Sequence, residues 1–447
     1  MNKKFIKIFF TAIGFFVLQV SSIRAVPDSA YVYEEEFEVD SIKIVGNETT
    51  EDFIILRELT FKPGSKVTSS QLLYNRERIF SLRLFTRVNV YPVYSGIHTF
   101  IYIDVKESWY IYPVPFIKRQ DKSSNKYSYG INLTYRNFRG RNENIRAILS
   151  FGYDPFFSIL YENPALDYEN GLGFGVALSY LNAYNKSALA KRNYGGNFKN
   201  KFYSTAFTLN KRLDQFNTLY GVTGFDYVQV PADYFTGMSG SGGKIDRAVS
   251  LGIGYIYDSR DLKQFPQNGI YSFVQLKHKG LGLQEINYNI LDVDFREYRS
   301  FIPNLISKWR IAARHSFGNL VPFYDYSYLG YDEYVRGHSD DNREGNNFII
   351  SSVELSYPIL KEFDFSVKLP LLPEKLTSAR IGIFITAFAD AGHAFNNNQR
   401  FRFGDFYSGY GVGITFLVLP YNAIRFEYAI GNKENKGEFL IGTGFSF

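Results

Sequence analysis

Strand-like alternation is the feature that most restricts the fold of this 447-residue chain. Beyond about residue 108, large apolar residues alternate with glycine, small or charged residues, as in 172–180, 410–418 and 424–430. The final segment continues the pattern, with Phe439, Ile441, Phe445 and Phe447 on one face. A period of two with one apolar face and one small or polar face is typical of transmembrane β-strands, whose outer face contacts lipid.

Sixteen such segments follow residue 108, and an even number is what a single-chain bacterial barrel requires. They begin near residues 110, 127, 143, 156, 172, 200, 217, 246, 269, 288, 307, 347, 380, 408, 422 and 437. With both termini periplasmic, the longest external connection is 318–346, between segments eleven and twelve. A soluble β-sandwich also alternates, but its strands usually run roughly 5–6 residues, shorter than these segments. The pattern therefore favours a 16-stranded antiparallel transmembrane β-barrel over residues 108–447.

Composition supports a barrel and excludes several other classes. Aromatic residues make up 18% of the chain, with 43 Phe and 36 Tyr, and membrane barrels place such rings at their interfaces. The absence of cysteine excludes disulfides, thiol nucleophiles, thiolate zinc sites and a lipid-modified N-terminal cysteine. The formal charge of +6 includes four cations and no acid in residues 1–25, so +2 remains without them. Such a balance gives no reason to expect nucleic acid as a partner.

Residues 1–25 have the pattern of a secretory signal peptide. Lysines precede an apolar stretch over 8–20, and Ala25 supplies a small residue for cleavage. A transmembrane anchor is the alternative, but about 13 apolar residues fall short of the ~20 that a spanning helix needs. We therefore expect an exported protein, with a short linker over 26–36.

Residues 37–107 predict a separate small α/β domain with the order β-α-α-β-β. A strand over 39–45 ends at a Gly-Asn turn, and Thr49 with Asp52 predicts the cap of a first helix. A second helix is predicted from Ser69, because apolar residues follow at helical spacing. Two strands, 86–94 and 98–105, complete the unit.

Several motifs resemble a known family of outer-membrane proteins. The 37–107 domain resembles a POTRA domain, in its element order and in residues 82–85. The barrel resembles the outer-membrane assembly and polypeptide-transport family of the BamA and TamA type, also called bacterial surface antigens. Four motifs carry this resemblance in the expected order: the turn after the eighth strand (Asp258, Ser259, Arg260, Asp261, Phe265, Pro266, Gly269), the loop-six motif (Val335, Arg336, Gly337, His338), the twelfth strand (354–358) and the thirteenth strand (388–392). The terminal Phe447 fits the assembly signal of a barrel.

The sequence departs from the family in two respects. An aromatic residue usually stands where this chain has His338, which affects packing at the loop tip. A single POTRA domain is present, whereas the essential assembly factor typically has several, which affects the recruitment of accessory lipoproteins.

The resemblance implies that the loop containing Arg336 folds back into the barrel. Strand alternation places Glu354 and Asp390 on the lumen face, and a guanidinium can hold a carboxylate through two parallel hydrogen bonds. We therefore expect Arg336 to bind Glu354 and Asp390.

The first barrel strand carries Pro113 and Pro115, whose missing N–H groups leave one strand edge with two fewer donors. Proline is typical of edge strands, so we hypothesise a weak seam between this strand and the terminal segment 438–447, which ends at Phe447. A client strand could pair with the exposed edge by β-augmentation. Prolines at a strand start, ahead of full pairing, are the alternative.

Enzyme chemistry finds little support in the sequence. The five histidines are scattered without metal-ligand spacing, and segment 237–244 lacks the first glycine and the final Ser or Thr of a phosphate-binding loop. Asp258 and Asp261 fit a structural turn around Arg260 better than a catalytic pair. We expect no enzyme activity and no cofactor or metal.

The function that the resemblance implies is insertion or folding of other outer-membrane proteins, in the bacterial outer membrane with the POTRA domain in the periplasm. The expected partners are unfolded outer-membrane proteins, membrane lipids and accessory periplasmic or lipoprotein subunits. Polypeptide secretion of the two-partner type is the alternative, although the acidic segment 31–38 offers no plug helix. A passive porin or a surface structural protein is the third possibility.

Overall fold

The computed structural model describes residues 36–119, 126–195, 198–231, 237–330, 333–339, 341–370, 372–399, 402–433 and 437–444. The predicted signal peptide, almost all of the predicted linker, and Phe447 lie outside these ranges. Within them, no helix combines the length and the apolar character that crossing a bilayer requires.

The N-terminal domain contains one small sheet and two helices. Its elements are β1 (Phe37–Glu38), β2 (Ser41–Val45), α1 (Asp52–Leu56), β3 (Lys66–Val67), α2 (Ser69–Phe80), β4 (Phe85–Ser95) and β5 (His98–Glu107). Strands β2, β5 and β4 form the sheet in that order, with β2 parallel to β5, while β1 pairs with β3. The predicted β-α-α-β-β order is present, with the short β1–β3 pair in addition.

The second helix begins at Ser69, as predicted, whereas the first helix lacks its predicted cap. Thr68 caps α2 through a capping box with Gln71. The predicted cap at Thr49 is wrong, because Glu51 occupies the N-cap of α1 and forms no side-chain cap. The Glu107 carboxylate instead holds the segment before the helix, where it accepts hydrogen bonds from the backbone N–H groups of Thr49 (3.0 Å) and Thr50 (2.8 Å).

Sixteen antiparallel strands form the barrel, as the sequence predicts. They are β6 (Ile111–Arg119), β7 (Tyr127–Phe138), β8 (Glu143–Gly152), β9 (Phe156–Asp167), β10 (Leu172–Tyr184), β11 (Lys199–Arg212), β12 (Asn217–Gln229), β13 (Ile245–Asp258), β14 (Gly269–Lys279), β15 (Tyr288–Ile302), β16 (Leu305–Gly318), β19 (Asn347–Ser366), β20 (Ser378–Phe395), β21 (Tyr407–Leu419), β22 (Asn422–Gly431) and β23 (Gly437–Thr443). Each strand pairs with its neighbour along the sheet. The predicted strand number and order are thus confirmed.

Helices are few in the barrel and lie in its connections. A short helix, α3 (Ala188–Tyr194), follows β10, and α4 (Glu374–Thr377) lies between β19 and β20. The β16–β19 connection carries a small hairpin of β17 (Ser327–Leu329) and β18 (Arg343–Gly345).

The N-terminal domain packs directly on one end of the barrel. One hydrophobic cluster joins domain residues such as Phe80 and Leu84 to the barrel residues Phe265, Phe384 and Leu419. Because this cluster is continuous, the two parts of the chain share buried apolar surface, which favours the docked arrangement.

A buried ion-pair group reinforces this contact. Glu58 of the domain lies 2.6 Å from Nη1 of Arg212, at the end of β11, and 3.0 Å from Nη2 of Arg78. Burial raises the pKa of Glu58, but the nearby Arg212, Lys263 and Arg78 cations outweigh it and hold the pKa at about 2. The carboxylate is therefore charged when the domain is docked.

Candidate functional site

The connection between β16 and β19 is called loop six below, and its described residues (319–330, 333–339 and 341–346) include several that pack inside the barrel. Its residues Leu329 and Val335 are buried in a cluster with Ile350 on β19 and Tyr407 on β21. The Arg336 side chain is 5% exposed. An arginine at such a depth needs charged partners, because desolvating an unpaired guanidinium is strongly unfavourable.

Arg336 binds three carboxylates. Its Nε and Nη2 atoms lie 2.7 and 2.8 Å from the two Asp390 oxygens, and its backbone N–H also donates to Asp390 at 3.1 Å. Its Nη1 atom lies 2.7 Å from Glu354 and 3.0 Å from Glu427. The guanidinium stacks over the Phe388 ring at 3.7 Å from the ring centroid. The predicted residues Arg336, Glu354 and Asp390 are therefore brought together.

Two further cations complete what we call the Arg336 cluster. Lys308 Nζ lies 3.7 Å from Glu354, and Arg425 Nη1 lies 3.5 Å from Glu427. The cluster thus contains three cations and three carboxylates: Arg336, Lys308, Arg425, Glu354, Asp390 and Glu427. Sequence reasoning missed Glu427, although its alternation with the outward-facing Phe426 and Tyr428 already places it on the lumen face.

Glycines allow the loop backbone to lie directly on the barrel strands. A Cβ atom at Gly409 on β21 would overlap the Arg336 carbonyl oxygen, and one at Gly431 on β22 would overlap the Gly337 carbonyl oxygen. Gly337 has a φ of +89°, and a Cβ there would lie 2.7 Å from the Gly431 nitrogen. Side chains at these positions would displace the loop.

His338 fills the position of the family aromatic and adds polar contacts. Its ring packs edge-on against Tyr407 with centroids 4.5 Å apart. Nδ1 lies 2.7 Å from Asp341, and Nε2 accepts a hydrogen bond from the Asn432 N–H at 3.1 Å. The histidine therefore retains an aromatic contact while binding the loop and the end of β22.

The first half of loop six has its own ionic contacts. Asp325 accepts hydrogen bonds from Lys279 Nζ at 2.9 Å and from the Tyr288 hydroxyl at 2.5 Å. Glu333 binds Arg310 on β16 through two hydrogen bonds of 2.6 and 2.9 Å. Loop six is consequently held at several points across the lumen.

The motif after the eighth strand forms a compact turn against the N-terminal domain. Arg260 binds Asp258 at 2.8 Å, and Asp261 accepts three backbone N–H bonds from the turn. Gly269 has a φ of +115°, and Pro266 is buried. The main effect on Asp261 is burial, which raises its pKa to about 6. These residues shape the domain contact, since the Lys263 N–H donates to Ser81 of the domain at 2.9 Å.

The first and last barrel strands each have one paired edge. Pro113 and Pro115 lie opposite Leu133 and Ile131 in the β6–β7 ladder. Over the described residues, β6 pairs with β7 alone and β23 pairs with β22 alone. We call the facing edges of β6 and β23 the seam. The third residue assigned to it, Phe447, lies outside the described part of the chain.

Metal ligation has no candidate site in the described ranges, because no group of three or more His, Asp or Glu side chains has a suitable arrangement there. The charged residues of the Arg336 cluster instead pair with one another. Hydrogen bonds and ion pairs are the contacts that this cluster forms.

The molecule is thus a 16-stranded barrel that carries an N-terminal α/β domain and holds a lumen loop through a buried arginine. Residues 137–447 match the family model of the Omp85 superfamily domain, and the chain belongs to that superfamily. Residues 37–108 match the POTRA model described as a surface antigen variable number repeat.

Solved structures share the fold at low sequence identity. BamA from Haemophilus ducreyi lacking POTRA domains 1–3 is 16% identical with a TM-score of 0.54. The matched region covers 91% of this chain and 84% of that BamA chain. CdiB from Escherichia coli is 13% identical with a TM-score of 0.55, and the matched region covers 91% of this chain and 75% of that CdiB chain. CdiB from Acinetobacter baumannii is 13% identical with a TM-score of 0.51, and the matched region covers 91% of this chain and 73% of that CdiB chain. No curated protein sequence matches this chain.

Proposed function

We propose that the protein catalyses the folding or insertion of other outer-membrane β-barrel proteins, with its barrel in the bacterial outer membrane and its N-terminal domain in the periplasm. The seam carries this proposal, because β6 and β23 have no strand ladder between them in the described residues. Membership in the Omp85 superfamily supports it. The process needs no covalent chemistry and no cofactor.

A client strand would pair with the free edge of β6 through backbone hydrogen bonds. Proline nitrogens cannot donate, so Pro113 and Pro115 fit an edge whose nitrogens point away from β7. Two missing hydrogen bonds would weaken closure onto β23 by about 1–3 kcal/mol, at roughly 0.5–1.5 kcal/mol each. A seam that opens at this cost can exchange its own pairing for pairing with a client.

The Arg336 cluster would keep the other side of the seam in place. Its carboxylates lie on β19, β20 and β22, so one loop residue joins three lumen-facing strands. Strands joined by these ion pairs would keep their relative positions while the seam beside them opens. The outer-membrane clients, the surrounding lipids and any accessory periplasmic or lipoprotein subunits would be the partners.

Polypeptide secretion of the two-partner type is the second candidate. The fold does not separate it from assembly, since the TM-scores to BamA and CdiB are nearly equal. A passive porin is less compatible with the molecule, because loop six occupies the lumen and the N-terminal domain packs across several periplasmic turns.

The test is folding of a urea-denatured client barrel in liposomes that contain the purified protein. Arg336→Ala should abolish acceleration, while the exposed loop variant Arg402→Ala should retain it. Conductance is measured on the same liposomes. Absence of acceleration in the wild type would refute the assembly function, and a large steady conductance would then favour transport through the lumen.

A further inference from the structure

Glu438 is the first lumen-facing residue of the last barrel strand, and loop six reaches it. The Gly337 N–H donates to Glu438 Oε2 at 3.1 Å, and the Ser339 N–H donates to the same oxygen at 3.3 Å. The Ser339 hydroxyl donates to Oε1. Both carboxylate oxygens of Glu438 are therefore bound by loop six.

The charge environment of Glu438 differs from that of the Arg336 cluster. Each carboxylate of that cluster lies within ion-pair distance of a cation. In the described parts of the chain, Glu438 forms no salt bridge, and its hydrogen bonds come from loop six alone. A carboxylate that accepts backbone N–H groups forms charge-assisted hydrogen bonds, which are about twice as strong as neutral ones.

Loop six approaches β23 by crossing the two strands before it. The Arg336 carbonyl lies against Gly409 on β21, and the Gly337 carbonyl lies against Gly431 at the end of β22. The same few loop residues then bind Glu438. The loop thus contacts three consecutive strands, and the last of them forms one edge of the seam.

Strand β23 has little else to hold its extracellular end. Its ladder to β22 contains seven residue pairs, from Ile424 opposite Thr443 to Ile430 opposite Gly437. No described residue of β6 pairs with it. The Glu438 contacts lie next to the Gly437 end of that ladder, where the strand would otherwise be free to fray.

We propose that Glu438 is a positioning residue that couples loop six to the terminal strand and so limits opening of the seam. Loop six then has two effects: Arg336 holds the wall formed by β19, β20 and β22, and Gly337 with Ser339 holds β23. The role of the seam in client folding rests on the proposed function, whereas the coupling between the loop and β23 does not.

Spin-label distances across the seam test the coupling without any client. The chain has no native cysteine, so labels can be placed at cysteines introduced for Ile117 on β6 and Phe439 on β23, which are 78% and 64% exposed. Glu438→Ala should at least double the width of the distance distribution. Glu438→Gln keeps one acceptor oxygen for the loop amides and should restore a narrower distribution.

Matched controls separate coupling from general damage. Glu285→Ala removes an exposed carboxylate from another connection and should leave the distribution unchanged. A second label pair at Leu178 and Ile253, on the opposite wall, should be unaffected by Glu438→Ala. Ser339→Ala should widen the seam in the same direction but less, because the two backbone donors remain.

The outcomes distinguish the two proposals. A Glu438→Ala distribution that superimposes on the wild type would overturn the coupling, whatever the client assay shows. Equal broadening at the control pair would also overturn it, because the effect would then be loss of barrel structure. A wider seam in a protein that accelerates no client would uphold the coupling and refute the assembly function.

Discussion

Removing the guanidinium of Arg336 should destabilise the barrel by leaving one particular carboxylate without a cation. Within the described residues, Glu354 keeps Lys308 at 3.7 Å and Glu427 keeps Arg425 at 3.5 Å. Asp390 has Arg336 as its ion-pair partner, through two side-chain bonds of 2.7 and 2.8 Å. Arg336→Met preserves much of the side-chain volume but leaves Asp390 buried and charged.

The expected loss follows from that imbalance. Breaking a buried ion pair by removing one partner typically costs about 3–5 kcal/mol, because the remaining charge is uncompensated. Asp390→Asn removes that charge, so the loss in the double variant should be smaller than the sum of the two single losses by about 0.5–3 kcal/mol, the coupling expected between residues in one network. Asp390→Asn by itself should cost less than Arg336→Met, since Arg336 keeps Glu354 and Glu427.

The free energy of unfolding in lipid vesicles measures these differences. Urea titrations followed by tryptophan fluorescence give it for the wild type, both single variants and the double variant, with Arg402→Met as the exposed control. Two results would refute the reasoning: an Arg336→Met loss below about 0.5 kcal/mol, which is the level of an ordinary surface substitution, or strictly additive losses in the double variant.

Three further predictions concern other contacts. Glu58→Gln should weaken docking of the N-terminal domain at pH 7 and raise the hydrogen-exchange rate of α2. In the wild type, the pKa of Glu58 is held at about 2, below its ordinary 4.5. The docking contact should therefore be complete above pH 4.5 and weaken as the pH falls toward 2. Gly409→Val should displace loop six and expose it to protease, whereas Gly404→Ala, which has open space around it, should not. His338→Phe should keep the Tyr407 contact but lower the free energy of unfolding by about 1–3 kcal/mol, because Asp341 and the Asn432 N–H lose their hydrogen-bond partner. An unchanged melting temperature would contradict this.

Much of the fold follows from the sequence because alternation is a local property. Each strand shows which residues face the lipid and which face the lumen, and the sixteen predicted segments correspond to the sixteen strands. Capping was less predictable: Thr49 has the right residue type for a cap, yet the distant Glu107 binds its backbone N–H. A contact between residues so far apart in the chain is absent from any local pattern.

The lumen residues show where sequence reasoning ends. The family motifs indicate Arg336, Glu354 and Asp390, whereas Glu427 and Glu438 appear in the sequence simply as lumen-facing acids. Alternation fixes the face of such a residue but not its height in the barrel. Height depends on the stagger between strands, which closure of the whole sheet sets.

The sequence by itself therefore determined the class of fold, the number and order of strands and the face that each side chain occupies, because these depend on residue spacing within one strand. The tertiary structure alone decided which lumen residues meet loop six, how Glu58 joins the domain to the barrel, and that the loop reaches the last strand. These contacts connect positions up to 154 residues apart, and strand register together with the path of the loop brings them into range.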